Sequence, residues 1–142
     1  MQKRLMENIN CSEETELKMK GEIMGFWIFM LCMDLMIPGV MILFGWIFLH
    51  KPPREINGIY GYRTSRSMAS QEAWNFAHQY MGKLWLWVGL VLLVFAFAAM
   101  LPCMGKEDDT VGLWGGILCA AECVIMMLPI IPTEKALKKT FG

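Results

Sequence analysis

Two carboxyl groups stand alone in long apolar stretches: Asp34 is the one charged residue in 23–49, and Glu122 the one charged residue in 111–131. A carboxyl inside hydrocarbon is costly, which marks both as candidate functional positions. Pro38 cannot donate to the carbonyl of Asp34, so a freed backbone oxygen is expected beside that carboxyl group. Glu122 sits at the edge of a small-residue stripe, Gly112, Gly115, Gly116, Cys119, Ala120 and Cys123, of a kind that invites close helix contact. No Lys, Arg or His lies at that depth. At neutral pH the pair is therefore expected to hold a proton or a cation, or else to be a neutral, hydrogen-bonded tie between helices.

A second group of candidates is basic. Arg63 and Arg66 flank Thr64, Ser65 and Ser67, setting two planar guanidinium forks beside three hydroxyls. Such a cluster suits a phosphate, a lipid headgroup or a carboxylate, with Glu134 as one candidate partner. The plainer reading is that these arginines pin the loop to phospholipid or to Glu134. His78 reads as a polar-face residue, since no second His or Cys stands at ligand spacing, and no metal site is expected. Trp74 reads as an interface anchor. There is no HExxH, nucleophile elbow, Walker loop or metal triad, so neither an enzyme nor a cofactor is expected.

The elements that position these residues follow from composition. Of 142 residues, 56% are hydrophobic, well above the share in a soluble domain, and the mean hydropathy is positive. Lys plus Arg equals Asp plus Glu at 13 each, so no global field favours a nucleic-acid partner. The five cysteines form no CxxC pair and read as small packing residues. The expected fold is an all-α integral membrane protein with three transmembrane helices at about 24–49, 84–102 and 111–131. A polar tail, 1–22, precedes this three-span domain, 23–142. The tail carries nine charges and lacks the short apolar core of a cleaved signal. Glu14 with Lys18 and Glu16 with Lys20 predict a short surface helix there, capped at Ser12. Pro129 and Pro132 are expected to weaken the third helix as it leaves the membrane.

Between spans one and two, glycines at 58 and 61 predict an ordered turn among aromatic anchors. Ser70 is placed to cap an amphipathic helix with Ala73, Trp74, Ala77, Tyr80, Met81 and Leu84 on one face and Asn75, His78 and Gln79 on another. Loop one and the C-terminal tail hold eight Lys and Arg, against five on the other side, which predicts an external N-terminus and a cytoplasmic C-terminus.

Three blocks carry a resemblance to a known family: Pro53, Asn57, Gly61-Tyr62-Arg63-Thr64, Ser67-Met68, Ser70 and Trp74; then Gly82-Lys83-Leu84-Trp85; then Pro132-Thr133-Glu134-Lys135-Ala136-Leu137. In this order, over roughly residues 38 to 141, the chain resembles the SdpI family in a short three-span form. The namesake of that family is a membrane immunity protein against a sporulation-delaying toxin. The resemblance implies a multi-pass protein of a bacterial cell membrane with an immunity or sensor role, meeting a peptide toxin or a regulatory protein. The motif loop, Asn57, Gly61, Tyr62, Arg63, Thr64, Arg66, Ser67, Ser70 and Trp74, would then be the binding segment, with Glu134 its partner from the tail. An alternative is a small transporter or lipid-handling protein, with the arginines on an anionic headgroup and Asp34 and Glu122 coupling a proton or cation. Membrane lipids are expected partners on either reading, and the small-residue stripe also suits a homo-oligomer.

Overall fold

The computed structural model describes all 142 residues and is helical without a strand: α1 (Gln2–His50), α2 (Gln71–Met100), α3 (Asp108–Met127) and α4 (Ile130–Phe141), with one 3-10 turn at Leu101–Cys103. Three helical segments, 2–50, 71–103 and 108–141, are long and apolar enough to cross a membrane. The chain is an all-α membrane protein.

The N-terminal tail differs from its expectation. It is not a separate short helix, because α1 runs unbroken for 49 residues from Gln2. Ser12 lies inside it and donates its hydroxyl to the Ile9 carbonyl at 2.8 Å instead of capping an end. A glycine in a helix interior costs only about 1 kcal/mol relative to alanine, so Gly21 and Gly25 at the junction do not break it. At 1.5 Å per residue α1 is roughly 73 Å long, more than twice the hydrocarbon thickness. Its first 22 residues are exposed throughout.

Within the bundle, α1 is the helix on which the others pack: its main contacts are with α2, then α3, while α2 and α3 touch sparsely. Its buried residues, Trp27, Asp34, Pro38, Met41, Gly45 and Phe48, fall mostly at alternating steps of three and four. That is the seam spacing of helices packed near-antiparallel or near-parallel. The spacing recurs in α3 with Val111, Gly115, Leu118 and Glu122.

Glycine sets the α1–α2 distance. A Cβ on Gly45 would sit 2.7 Å from the Leu86 amide nitrogen and 2.9 Å from the Gly82 carbonyl oxygen, and one on Gly82 would sit 3.0 Å from the Gly45 oxygen. Backbones in such contact leave no room for a side chain. One turn further along, Gly89 lies against Met41 and Ile42 in the same way.

At the far end of the bundle, Trp27 donates its indole N–H to the Met100 carbonyl at 2.9 Å, inside a cluster of Ala96, Met100, Cys103, Val111 and Leu118. The bond also engages a carbonyl left free where α2 ends. The small-residue stripe of α3 does not act as one surface. Gly112 and Gly115 face Phe26, Met30 and Asp34 of α1, whereas Gly116, Ala120 and Cys123 point outward. The seam follows the three-four alternation, which splits the stripe. The third span ends at Met127, three residues short of Ile130, where α4 begins and where Pro132 is tolerated in the first turn.

Replacing Gly45 by Leu is expected to force α1 and α2 apart and lower stability by about 1–3 kcal/mol. Gly39→Ala, with nothing within 4 Å of the added carbon, serves as the control and should leave thermal unfolding in detergent unchanged or raised.

Candidate functional site

The loop 51–70 folds as a layer over one end of the bundle, held by side-chain bonds to backbone. Asn57 accepts from the Ile59 and Tyr60 amides at 3.1 and 2.8 Å and donates to the Glu55 carbonyl at 3.1 Å. An asparagine that bonds the backbone two or three residues ahead mimics a turn. Trp74 of α2 is fully buried and donates its indole N–H to the Pro53 carbonyl at 2.8 Å. It is a core tie to the loop and not an interface anchor. Gln71 adds a bond to the Arg54 carbonyl at 2.8 Å. Ser70 caps α2, accepting from the Ala73 amide at 3.1 Å.

His78 also differs from its expectation. It is fully buried, not on a polar face. It lies between Trp74 and Phe48, with ring centroids 4.4 and 4.9 Å away. Its Nε2 accepts the Tyr62 amide N–H at 2.9 Å, which obliges Nδ1 to carry the proton and donate it to the Trp74 carbonyl at 2.7 Å. The signal was present in the sequence, for residue 78 stands four after Trp74 and three before Met81 in the middle of the apolar face.

That bond explains the glycine of the motif. Gly61 has φ +117°, and a Cβ there would overlap His78 Nε2 and press on Pro53. Only glycine can bring the Tyr62 amide to the imidazole. After Tyr62 the chain closes on itself: the Ser67 hydroxyl is buried, accepts from the Thr64 amide at 2.9 Å and donates to the Tyr62 carbonyl at 2.8 Å. The Ser67 amide returns a bond to the Thr64 hydroxyl at 3.2 Å.

The loop is clamped to α4 through one carboxylate. Tyr62 donates its phenol O–H to Glu134 Oε1 at 2.9 Å, and Arg66 donates to Oε2 at 3.2 Å. Burial alone would raise the Glu134 carboxyl, but hydrogen bonds from Thr64, Tyr62 and Arg66, with the Arg66 charge, hold it below the ordinary glutamate value. Burial, then the bond and charge of Glu134, push the Tyr62 phenol up. Beneath the clamp, Tyr62, Ala73, Ala77, Met81 and Leu137 form one apolar cluster. Thr133 is buried with them, bonded to the Pro129 carbonyl at 2.7 Å.

The predicted residues therefore divide. Tyr62, Thr64, Arg66, Ser67 and Glu134 come together, as do Gly61 and Trp74 around His78, while Asn57 shapes the preceding turn. Arg63 does not join Arg66 in a common fork; it is exposed, reaching only the Ile59 carbonyl at 3.5 Å. Asp34 and Glu122 lie apart from the loop, inside the bundle.

These same residues carry the likeness to known proteins. A model of the SdpI/YfhL protein family matches residues 54–133, from the loop through α2 and α3 into α4. The chain belongs to this family. It is also 40% identical over 100 residues to YfhL of Bacillus subtilis (strain 168), described as an uncharacterized protein, covering 70% of this chain and 81% of that one. No solved structure matches. The family match thus starts just past the Trp74-bonded Pro53 and ends at Thr133, one residue short of the clamp carboxylate.

Gly61→Ala in this SdpI/YfhL-family chain should cost about 1–3 kcal/mol through its positive φ and expose loop amides 59–67 to faster hydrogen exchange. Glu134 titrates below its unfolded value of roughly 4.3. Its contribution is thus fully present above that pH and disappears as pH falls through the lower folded value. Loop protection should accordingly fall in acid for the wild type but stay flat with pH in Glu134→Gln, as measured by amide exchange over a pH series corrected for intrinsic rates.

Proposed function

We propose that the protein is an SdpI-type immunity or sensor protein, which meets a membrane-active peptide within the bilayer and passes the event to its loop layer. The observation that carries the reading beyond family membership is a lateral cleft between α2 and α3 of about 470 Å³, lined by Trp87, Val88, Val91, Leu92, Phe95 and Ile125. Its lining is wholly apolar, and Trp87, Val91 and Phe95 are exposed at its mouth. A helical peptide dissolved in lipid could lay an apolar face there, since packing and not water release drives helix association in a membrane.

The loop layer supplies the relay in this reading. Trp85 reaches from α2 to the Met126 carbonyl of α3 at 3.3 Å and stacks against Phe48, with centroids 6.1 Å apart. Phe48 in turn packs edge-on against His78, the acceptor of the Tyr62 amide. Displacement at the α2–α3 cleft is thereby linked to the clamp through direct contacts. The excess of Lys and Arg beside the loop supports placing this layer in the cytoplasm, where the exposed Arg63 is free to meet a regulatory protein. The role is one of binding, not catalysis.

Expression in a bacterium sensitive to membrane-active peptides tests the reading. Wild type should restore growth, Val91→Trp, which fills the cleft, should lose most of the protection at equal protein level, and Arg63→Ala should leave protection but alter any reporter response. Absence of protection by the wild type against a panel of such peptides would sink the proposal.

A further inference from the structure

The deepest polar groups of the molecule have no place in the loop layer or the cleft. Asp34 of α1 and Glu122 of α3 are each fully buried, and none of their four carboxyl oxygens has a hydrogen-bond partner in the protein. They share one level. α1 and α3 run parallel, with Gly112 against Phe26 and Gly115 against Met30 and Asp34, so Glu122 lies within about one turn of Asp34 along the axis. Asp34 Oδ2 stands 3.3 Å from where a Cβ on Gly115 would be, on the same buried seam of α3 as Glu122.

The groups around them offer no counter-charge. On α3 the titratable neighbours are Cys119, partly buried, and Cys123, which is exposed; on α1, Cys32 is exposed. From α2, the antiparallel register that sets Gly89 against Met41 and Ile42 brings Ala96 to the level of Asp34, and residues 84–100 contain no charged side chain. Lys83 and Lys106, the cations nearest in α2 and before α3, are each roughly 20 Å away along the helices. Two ionised carboxylates in such a place would face a Born cost of tens of kcal/mol and repel each other. A metal ion is poorly served, because no third His, Cys or acid groups with the pair and protein metal sites draw on three or four ligands. Protonation of at least one carboxyl answers both problems: it removes the repulsion, lowers the buried charge and makes one carboxyl a donor to the other.

We infer that Asp34 and Glu122 form a proton-binding site in the core of the bundle, holding at least one proton at neutral pH. This goes beyond the immunity reading and stands or falls separately from it. The site gives the protein a titratable element at the α1–α3 contact, within the hydrocarbon and away from the clamp.

Infrared spectra of the full chain in phosphatidylcholine vesicles, recorded over a pH series, read the C=O stretch of protonated carboxyls directly. Exposed acids are ionised at pH 7, so the wild type should keep a protonated-carboxyl band there and lose it at higher pH. Asp34→Asn with Glu122→Gln should abolish the neutral-pH band while preserving helix content. A wild type with no such band at pH 7 overturns the inference, whether or not the double variant folds. So does a band that survives unchanged in a folded double variant. Added sodium chloride or calcium chloride at constant pH separates the occupants: an unchanged band supports a proton site, and loss of the band would reassign the pair to a metal cation.

Discussion

Backbone contact between α1 and α2 at Gly45 and Gly82 is the constraint on which the rest of the structure depends. In lipid there is little hydrophobic gain from bringing two apolar helices together, so close packing has to hold them. Glycine on both sides permits that closeness, and the consequences run along α1. One turn toward the loop, Phe48 is brought against Trp85 and His78. Were the helices a side chain further apart, the imidazole would lose its aromatic wall and Tyr62 would lose a fixed acceptor. The clamp on Glu134 is thus built on a helix crossing that contains none of its residues.

The loop layer solves a different problem. A segment of 20 residues between two membrane helices has many backbone donors and acceptors and little sheet or helix to satisfy them. Here side chains take that role: Asn57, Ser67, Trp74 and His78 each bond main-chain atoms of the loop or its flanks. The family match over 54–133 covers this economy of bonds almost completely. Residues that read as a charged binding motif are in large part the means by which the loop folds, and Arg63 is the basic member left facing outward.

Much of this was legible in sequence. Apolar run length gave the three crossings, Ser70 gave the start of α2, and the position of Glu134 after span three put it on the side of Arg66. What escaped has physical reasons. Helix continuity through Gly21 and Gly25 depends on small propensity differences that add over many residues, so the tail read as separate. His78 reads as outward because its type is polar, although its position is central to the apolar face; the Tyr62 amide that satisfies it is 16 residues away and invisible to local pattern. The stripe on α3 reflects residue size alone, whereas the packed seam follows a three-four alternation that includes Glu122 and leaves Gly116 and Ala120 outside.

Pro38 divides α1 into a stretch packed on α2 and a stretch packed on both α2 and α3. On the loop side of it, the α1–α2 contact at Met41 and Gly45 is close and contains no charged residue, with Phe48 against His78 at its end. On the other side, the α1–α3 contact at Phe26, Met30 and Asp34 meets glycines of α3 and contains the carboxyl pair. Proline removes the amide that would bond the Asp34 carbonyl, so the helix is weakest between the two contacts. A bundle in which α2 and α3 touch sparsely relies on α1 to hold both. The α1–α2 contact is set by glycine against backbone, whereas the α1–α3 contact also encloses the two acids of the proposed proton site. Given the proposed proton site, α3, with the wall it gives to the cleft at Ile125, is the helix whose packing against α1 a change of protonation would bias.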